Sequence, residues 1–446
     1  MHRPALVPSF LAPLLLTPIA AFALESYLPP RVPPARLSGP TAAPDRIVLT
    51  WSDDPATTQS VTWRTDPTVA EAVAEIAVAT RGPEFARDAR RVVAASTALE
   101  TDLGAARYHT VTFLGLAPRT TYAYRVGDGT NWSEWSHFTT ASDREAPFSF
   151  VYFGDAQNDI KSHWSRVVRE AFRDAPRAAF LLHAGDLVNR ADADAEWGEW
   201  CEAAGWILRS MPSLATPGNH EYAGRGDDEH LSRHWRPMFA FPEHGPGGLE
   251  ETVYWIDHQG ARIVSLNTNV DLDAQARWFD EVMQGCEARW KIVTMHHPVF
   301  STARARDNPA LRATLQPLFD RHAVDLVLQG HDHSYGRTDR MRHAGPAAEG
   351  GSEAHEHGEA NVPVGVRARD DESGTVYVVS VSGPKMYRLD QKPFMVAAAE
   401  NVQLYQIVSV DGPELRYSAY AATGELFDRF TLRKVEGRPN ELVEYK

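Results

Sequence analysis

A set of continuous apolar runs in the later part of the chain restricts its fold most: Phe148–Phe153, Ala178–Leu182, Ala261–Leu266, Trp290–Met295, Ala323–Leu328 and Thr375–Val381. A strand with one wet face alternates apolar and polar residues, so unbroken runs of this length belong to strands covered on both faces. Helical stretches separate the runs. Residues 146–435 are therefore expected to form an α/β domain with a sheet core flanked by helices.

The pattern upstream is different. Ile47–Trp51, Ser60–Trp63, Ala74–Val78, His109–Phe113 and Tyr122–Val126 are short β-prone segments, divided by turn residues such as Pro118 and Gly127-Asp128-Gly129. With no long helical period between them, residues 44–141 are expected to be an all-β sandwich. Leu116 to Tyr122 resembles the turn and tyrosine corner of fibronectin type III domains, and Trp132-Ser133-Glu134-Trp135-Ser136 resembles the tryptophan-rich segment of some of them. That resemblance concerns fold alone; the two tryptophans are expected to stack with cations or pack between domains.

Arg3, the mostly apolar stretch Leu11–Ala23 and the small residues Ala21 and Ala23 read as a signal peptide over residues 1–23, implying a secreted or periplasmic protein. A Pro-rich linker, 24–43, is expected to be extended. No internal apolar run approaches the ~20 residues needed to span a bilayer, so no integral membrane segment is expected after cleavage. Cys201 and Cys286 are too few for a disulfide scaffold, and one disulfide or two separate thiols both fit.

A formal net charge of −14 argues against a nucleic-acid partner and repels small anions at long range. An enzyme for anionic esters would then need strong local positive charge, which divalent metals supply. Candidate ligands stand in five clusters, each just after a strand or β-like segment: Gly154-Asp155, Gly185-Asp186, Gly218-Asn219-His220-Glu221, His296-His297 and Gly330-His331-Asp332-His333. Open α/β sheets bind ligands beyond the carboxyl ends of their strands, so one site can hold all five. Carboxylate, amide and imidazole together suit Fe, Mn, Zn or similar ions, and no serine or cysteine nucleophile is signalled.

In chain order these clusters resemble the blocks of the metallophosphoesterase (calcineurin-like) superfamily, and behind a fibronectin-like domain they look like purple acid phosphatases. The resemblance implies a four-layer αββα catalytic domain and a small-molecule phosphate ester as substrate. It implies two metal ions per chain, with Asp186 bridging, Asp155 and His333 on the first, and Asn219, His296 and His331 on the second. Metal-activated water would attack the ester without a phosphoenzyme. His220 would stand by the phosphate as proton donor or charge stabiliser, oriented by a hydrogen bond to Glu221. His297 would either touch substrate or pack.

Two positions depart from the family pattern. Asn189 stands where the family has tyrosine, and Gln157 where it has glycine or histidine. A centre without tyrosinate is expected to be colourless, with Gln157 or Asn189 offering a carbonyl oxygen or contacting bound water. Monoester hydrolysis of the acid-phosphatase kind is the leading expectation. Phosphodiester or nucleotide hydrolysis on the same centre, and a non-catalytic surface binding module, are the alternatives. The segments Ala223–Gly248 and Arg342–Asp371 are expected to wall the pocket. His343, His355 and His357 in the second are read as solvated.

Overall fold

The computed structural model describes residues 32–344, 365–369 and 371–445. The expected signal peptide, residues 24–31 of the linker, and His355 and His357 lie outside the described residues. Beyond Val32 and Pro33 the linker is not extended throughout: Pro34–Ser38 is a short helix with proline in its first turn. That turn uses no intrahelical N–H, so proline's missing donor costs nothing there.

The N-terminal domain is a two-sheet sandwich. Its strands are β1 (Asp45–Thr50), β2 (Gln59–Thr65), β3 (Val73–Val78), β4 (Arg90–Val93), β5 (Ala95–Thr101), β6 (Gly104–Phe113), β7 (Thr121–Gly127) and β8 (Ser136–Thr139). One sheet runs β1-β2-β6-β5 and the other β4-β3-β7-β8. Leu49, Val61, Trp63, Ile76, Val111, Phe113, Tyr124 and Phe138 fill the space between them. The Tyr122 hydroxyl accepts a hydrogen bond from the Ala117 amide at 2.8 Å, making the corner that the sequence predicts. Trp132 and Trp135 stack on the Arg125 guanidinium, 4.2 and 4.7 Å from the two ring centres.

The second domain is α/β, with two sheets face to face. The first contains β9 (Phe148–Phe153), β10 (Leu181–His183), β11 (Ser213–Ala215), β22 (Leu404–Asp411), β23 (Glu414–Ala421), β24 (Leu426–Arg433) and β25 (Glu441–Glu444), in the order β11-β10-β9-β22-β23-β24-β25. The second contains β14 (Tyr254–His258), β15 (Ala261–Leu266), β16 (Trp290–Met295), β17 (Leu326–Gln329), β18 (Tyr335–Arg342), β19 (Val366–Arg367), β20 (Thr375–Val379) and β21 (Met395–Ala399). Its order is β14-β15-β16-β17-β20-β18-β19, with β21 on β18. A short ribbon pairs β12 (Tyr222–Ala223) with β13 (His230–Leu231).

Phe150, Tyr152, Ile263, Ile292, Leu328, Val378, Val408 and Tyr417 share the core between the sheets. Helices Leu272–Met283 and Pro309–Arg321 bring Phe279, Leu315 and Phe319 against Val264, Val293 and Val327 on the outer face of the second sheet. Helix Ser165–Asp174 covers the first sheet through Val167, Val168 and Ala171. Strands β9, β10 and β11 are parallel, as are β15, β16, β17 and β20. Their carboxyl ends therefore open on one edge.

The two domains share a buried polar interface. The Asp194 carboxylate accepts from Arg46 at 2.7 and 2.8 Å, from Arg64 at 2.9 Å and from His234 at 3.0 Å. Burial alone would raise the Asp194 pKa. The His234 hydrogen bond and the two guanidiniums overcome it and hold the group well below the usual carboxylate range. Trp51 lies edge-on to Phe180 at 5.6 Å. Val48, Trp51, Ala106 and Tyr108 belong to the same continuous core as the sheets of the second domain. Every residue of β2 is buried, because one face of its sheet looks into the sandwich and the other onto the neighbouring domain. The thiols of Cys201, buried, and Cys286 are free, which decides between the two cysteine expectations.

Removing Asp194 would leave the buried Arg46 guanidinium without a counter-ion, while Arg64 would keep Asp45. Asp194→Ala is expected to cost about 3–5 kcal/mol of stability in urea unfolding followed by tryptophan fluorescence. An unchanged midpoint would show that the interface does not depend on this ion cluster.

Candidate metal centre

Five strand ends deliver the site. Asp155 follows β9, Asp186 follows β10, Asn219 and His220 follow β11, His296 follows β16, and His331 and His333 follow β17. Asp155 (φ 26°), Asp186 (φ 52°), His331 (φ 73°) and His333 (φ 45°) all occupy the left-handed region that side-chain-bearing residues rarely adopt. Such strain, ~1–3 kcal/mol per residue, persists only where its surroundings impose it, and it gathers at functional sites. Close packing imposes it here. A Cβ on Gly218 would collide with the Asp186 carboxylate and backbone amide, and Gly185 (φ 85°) would meet the Gly218 backbone and the His296 ring.

Asp155, Asp186 and His333 place ligand atoms within 4.8 Å of one another, and so do Asp186, His296 and His331. Asp186 belongs to both clusters. Asn219 joins the second through its Oδ1, 3.1 Å from His296 Nε2 and 2.9 Å from His331 Nδ1. Gln157 joins the first, its amide nitrogen 2.7 Å from Asp186 Oδ2 and 3.1 Å from His333 Nε2, while its buried Oε1 has no hydrogen-bond partner.

The donor atoms suit cations. His296 Nδ1 donates to the Ala184 carbonyl at 2.8 Å, so the neutral ring turns the lone pair of Nε2 inward. That lone pair meets Asp186 Oδ2 at 3.3 Å, the Asn219 oxygen, and His331 Nδ1 at 3.1 Å. In the bare chain only a proton can occupy this convergence. Burial disfavours it, yet the adjacent Asp186 carboxylate raises the His296 pKa to about 9. His333 is arranged alike, donating from Nδ1 to the Lys385 carbonyl at 2.9 Å and turning Nε2 toward Asp155 at 3.5 Å. Burial lowers its pKa to about 4, so the ring stays neutral and its lone pair available. Burial also drives the Asp155 carboxyl well above its ordinary pKa, with Asp186 adding to the shift, a conflict that positive charge between the two would remove.

The remaining expected residues fall differently. Glu221 does not orient His220. Its carboxylate accepts from the backbone amides of Asp186 (2.7 Å), Leu187 (2.8 Å), Val188 (3.2 Å) and Gly218 (2.7 Å), bracing two ligand turns together. The turns leave those amides pointing inward, and a buried carboxylate satisfies all four at once. The carbonyl of Asn189 orients His220 instead, accepting from Nδ1 at 2.7 Å, while the Asn189 side chain pairs with Asn158 at 3.0 Å. His297 hydrogen-bonds Thr268 at 2.9 Å and lies 4.4 Å from the His331 ring.

Part of the 223–248 segment lies against the N-terminal domain, where the Thr62 hydroxyl donates to the Met238 carbonyl. Tyr387, which sequence reasoning missed, packs at a 45° tilt with its ring centre 4.5 Å from that of His333, and Arg306 donates to the His331 carbonyl at 3.2 Å. Both sit in loops that follow β16 and β20, and the strand-end rule applied to every parallel strand would have found them.

Residues 44–140 match the family model of the purple acid phosphatase N-terminal domain, and residues 148–335 that of the calcineurin-like phosphoesterases. The chain is a purple-acid-phosphatase-like metallophosphoesterase. It is 27% identical to purple acid phosphatase 1 of Ipomoea batatas over 52% of each chain, and 28% identical to acid phosphatase type 7 of Homo sapiens over 68% of this chain and 72% of that one. The match thus spans about half the length of the plant enzyme. Among solved structures, the purple acid phosphatase PPD1 from yellow lupin seeds superposes with a TM-score of 0.68 at 18% identity, over 89% of this chain and 75% of that one. PhoD superposes with a TM-score of 0.63 at 11% identity, over 91% and 93%. Both likenesses are of fold.

Behind the Asp186 turn of this metallophosphoesterase, His183 is packed among Phe153, Trp164 and Trp200, with neither ring nitrogen hydrogen-bonded. Burial lowers its pKa to about 3, and that of His258 at the domain interface likewise to about 3. The unfolded chain binds these protons near pH 6.5 and the folded chain does not, so the two groups destabilise the fold as pH drops from about 6.5 toward 3. In a metal-free urea series across that window, His183→Phe is expected to show a shallower acid loss than the parent chain. Parallel curves would refute the assignment.

Proposed function

We propose that the chain is an exported hydrolase of phosphate monoesters, working at a pair of metal ions. Asp155 and His333 would hold one ion, Asn219, His296 and His331 the other, and Asp186 both. Sharing of the buried Asp186 carboxylate between two ligand clusters carries this reading. The mixed oxygen and nitrogen set suits Fe, Mn or Zn. Such ions acidify bound water and draw charge from the phosphoryl oxygens. Residues 1–23 would be removed as the signal peptide, 24–43 would connect, and 44–141 and 146 onward would form the two domains of a secreted or periplasmic protein, the second running past the expected limit of 435 because β25 pairs with β24. Among the described residues no helix is long and apolar enough to cross a membrane.

The protein's own part is placement and proton handling. Glu221, anchored on four amides, fixes the Asp186 and Asn219 turns relative to each other. The His220 amide donates to Asp186 Oδ1 at 2.9 Å, tying that histidine to the shared carboxylate. With Nδ1 committed to the Asn189 carbonyl, only Nε2 of His220 is free to trade a proton. It is the group in place to protonate the departing alcohol as the phosphorus–oxygen ester bond breaks and water oxygen takes its place. Neither cysteine lies among these residues, in keeping with direct water attack. Asn189, where the resemblance places tyrosine, supports the expectation of a colourless centre.

Metal content by mass spectrometry, paired with hydrolysis of p-nitrophenyl phosphate and bis-p-nitrophenyl phosphate, tests the reading. About two metals per chain and faster monoester turnover are expected; faster diester turnover would favour the diesterase alternative. Asp186→Ala should lose both ions and nearly all activity, while His220→Ala should keep the ions and lose ~10²–10⁴-fold in turnover. An Asp186→Ala protein that still holds two ions would end the bridging role.

A further inference from the structure

Two loops beside the centre concentrate cations in a chain of net charge −14. The loop after β16 carries Arg304 and Arg306, and the loop after β20 carries Lys385 and Arg388. The two are stitched together: the Arg304 amide donates to the Arg388 carbonyl at 2.8 Å, the Asp390 amide to the Thr302 carbonyl at 3.0 Å, and Ala303 bridges to Leu389. The Lys392 ammonium is committed to their support, donating to the Ser301 and Arg306 carbonyls at 3.0 and 2.7 Å.

The first loop is also fixed to the ligand strand end. Asp332, buried between His331 and His333 in sequence, accepts from the Ser301 hydroxyl at 2.6 Å and the Thr302 and Ala303 amides at 2.6 and 3.1 Å. Arg306 Nη1 reaches the His331 carbonyl at 3.2 Å and Asp332 at 3.3 Å. Its Nε and Nη2 make no hydrogen bond among the described residues. The guanidinium lies 4.7 Å from the centre of the Tyr387 ring, and the Lys385 ammonium 5.5 Å from it. That ring in turn lies 4.5 Å from the His333 ring. Lys385 has no ion pair or hydrogen bond from its ammonium among the described residues, while its carbonyl holds His333.

Among the described residues the one acid that pairs with either cation is Asp332, through Arg306 Nη1 at 3.3 Å. Asp307 is bound by both arms of Arg312 at 2.7 and 3.0 Å, Glu400 accepts from the Leu389 amide at 2.7 Å, and Asp332 is occupied by the loop itself. The two cations thus lie against one Tyr387 ring beside the candidate centre, with donors unspent. An ester phosphate would be neutralised by the centre, so a further pair of cations is surplus for a singly phosphorylated neutral alcohol. A guanidinium with a free fork favours carboxylate and phosphate oxygens.

We propose that Arg306 and Lys385, spaced by Tyr387, form a subsite for a second anionic group on the leaving-group side. The substrate class is then a phosphate ester whose leaving group carries a further carboxylate or phosphate. The inference rests on the hydrolytic reading above.

The test uses the metal-loaded full chain and compares kcat/KM for 3-phosphoglycerate, with a carboxylate, and glycerol 1,3-bisphosphate, with a second phosphate, against glycerol 3-phosphate, which has neither. Wild type should prefer one of the doubly anionic substrates, and which one identifies the group. Arg306→Gln and Lys385→Gln should each lower that preference ratio ~10-fold or more, the loss expected for a charged hydrogen bond. Arg416→Gln, on an outlying strand, should leave the ratio as it was. Equal losses on all three substrates would mean a structural role only and overturn the subsite. Binding gives an independent readout: by calorimetry, methylenediphosphonate should bind more tightly than inorganic phosphate, and Arg306→Gln should erase the difference. If wild type hydrolyses none of the esters the hydrolytic reading falls, while the titration still judges the subsite, and equal binding of the two anions overturns it.

Discussion

The Asp186 carboxylate is the point around which the catalytic domain is organised. It is buried, it stands on a left-handed turn, and it faces His296, Gln157 and the His220 amide at once. No side chain could hold that position alone. Glu221 clamps the Asp186 turn to the Gly218 turn through backbone amides, and the absent side chain of Gly218 lets the two turns approach. Two buried carboxylates, Glu221 and Asp186, therefore lie back to back, one bonded to amides and the other turned toward imidazoles. Burial, with Asp186 adding to it, raises Glu221 to about 7 in the bare chain, whereas Asp186 stays ionised beside His296. The amide shell keeps the first carboxylate structural and leaves the second free for chemistry.

That arrangement follows from parallel strands in two facing sheets. β9, β10 and β11 bring one half of the ligand set, β16 and β17 the other, and the halves meet only because both sheets end at the same edge. A set of ligands spread from Asp155 to His333 is made local by packing, with no contact between neighbours in sequence required beyond the His331 to His333 turn. The Tyr152 hydroxyl ties the sheets directly behind the site, accepting from the Gln329 amide at 3.1 Å.

The sequence displayed most of this and hid a definable remainder. Phe148–Phe153, Ala261–Leu266 and Trp290–Met295 are strands with the limits expected, since burial on both faces writes itself as an unbroken apolar run. β4 and β5 left no such mark because their residues face solvent. The ligand clusters were visible because glycine and short polar residues recur at strand ends. The partners of Glu221 were not, because four backbone amides have no letter in a sequence. Arg306, Lys385 and Tyr387 belong to no motif, and their meaning comes from two loops paired across a long interval of chain.

The N-terminal sandwich is bound to its neighbour more deeply than its compact sequence signature suggests. Val48, Trp51, Ala106 and Tyr108 lie in the core of the catalytic domain, and Arg46 and Arg64 end on a helix that belongs to it. β1 and β2 therefore have no free outer face. A boundary drawn at residue 141 separates two patterns of secondary structure but cuts through a shared interior, so the pair behaves as one inherited object. Modular exchange, in which a binding domain is lent from protein to protein, is closed to this sandwich, and any recombination that preserves it must carry the phosphoesterase with it.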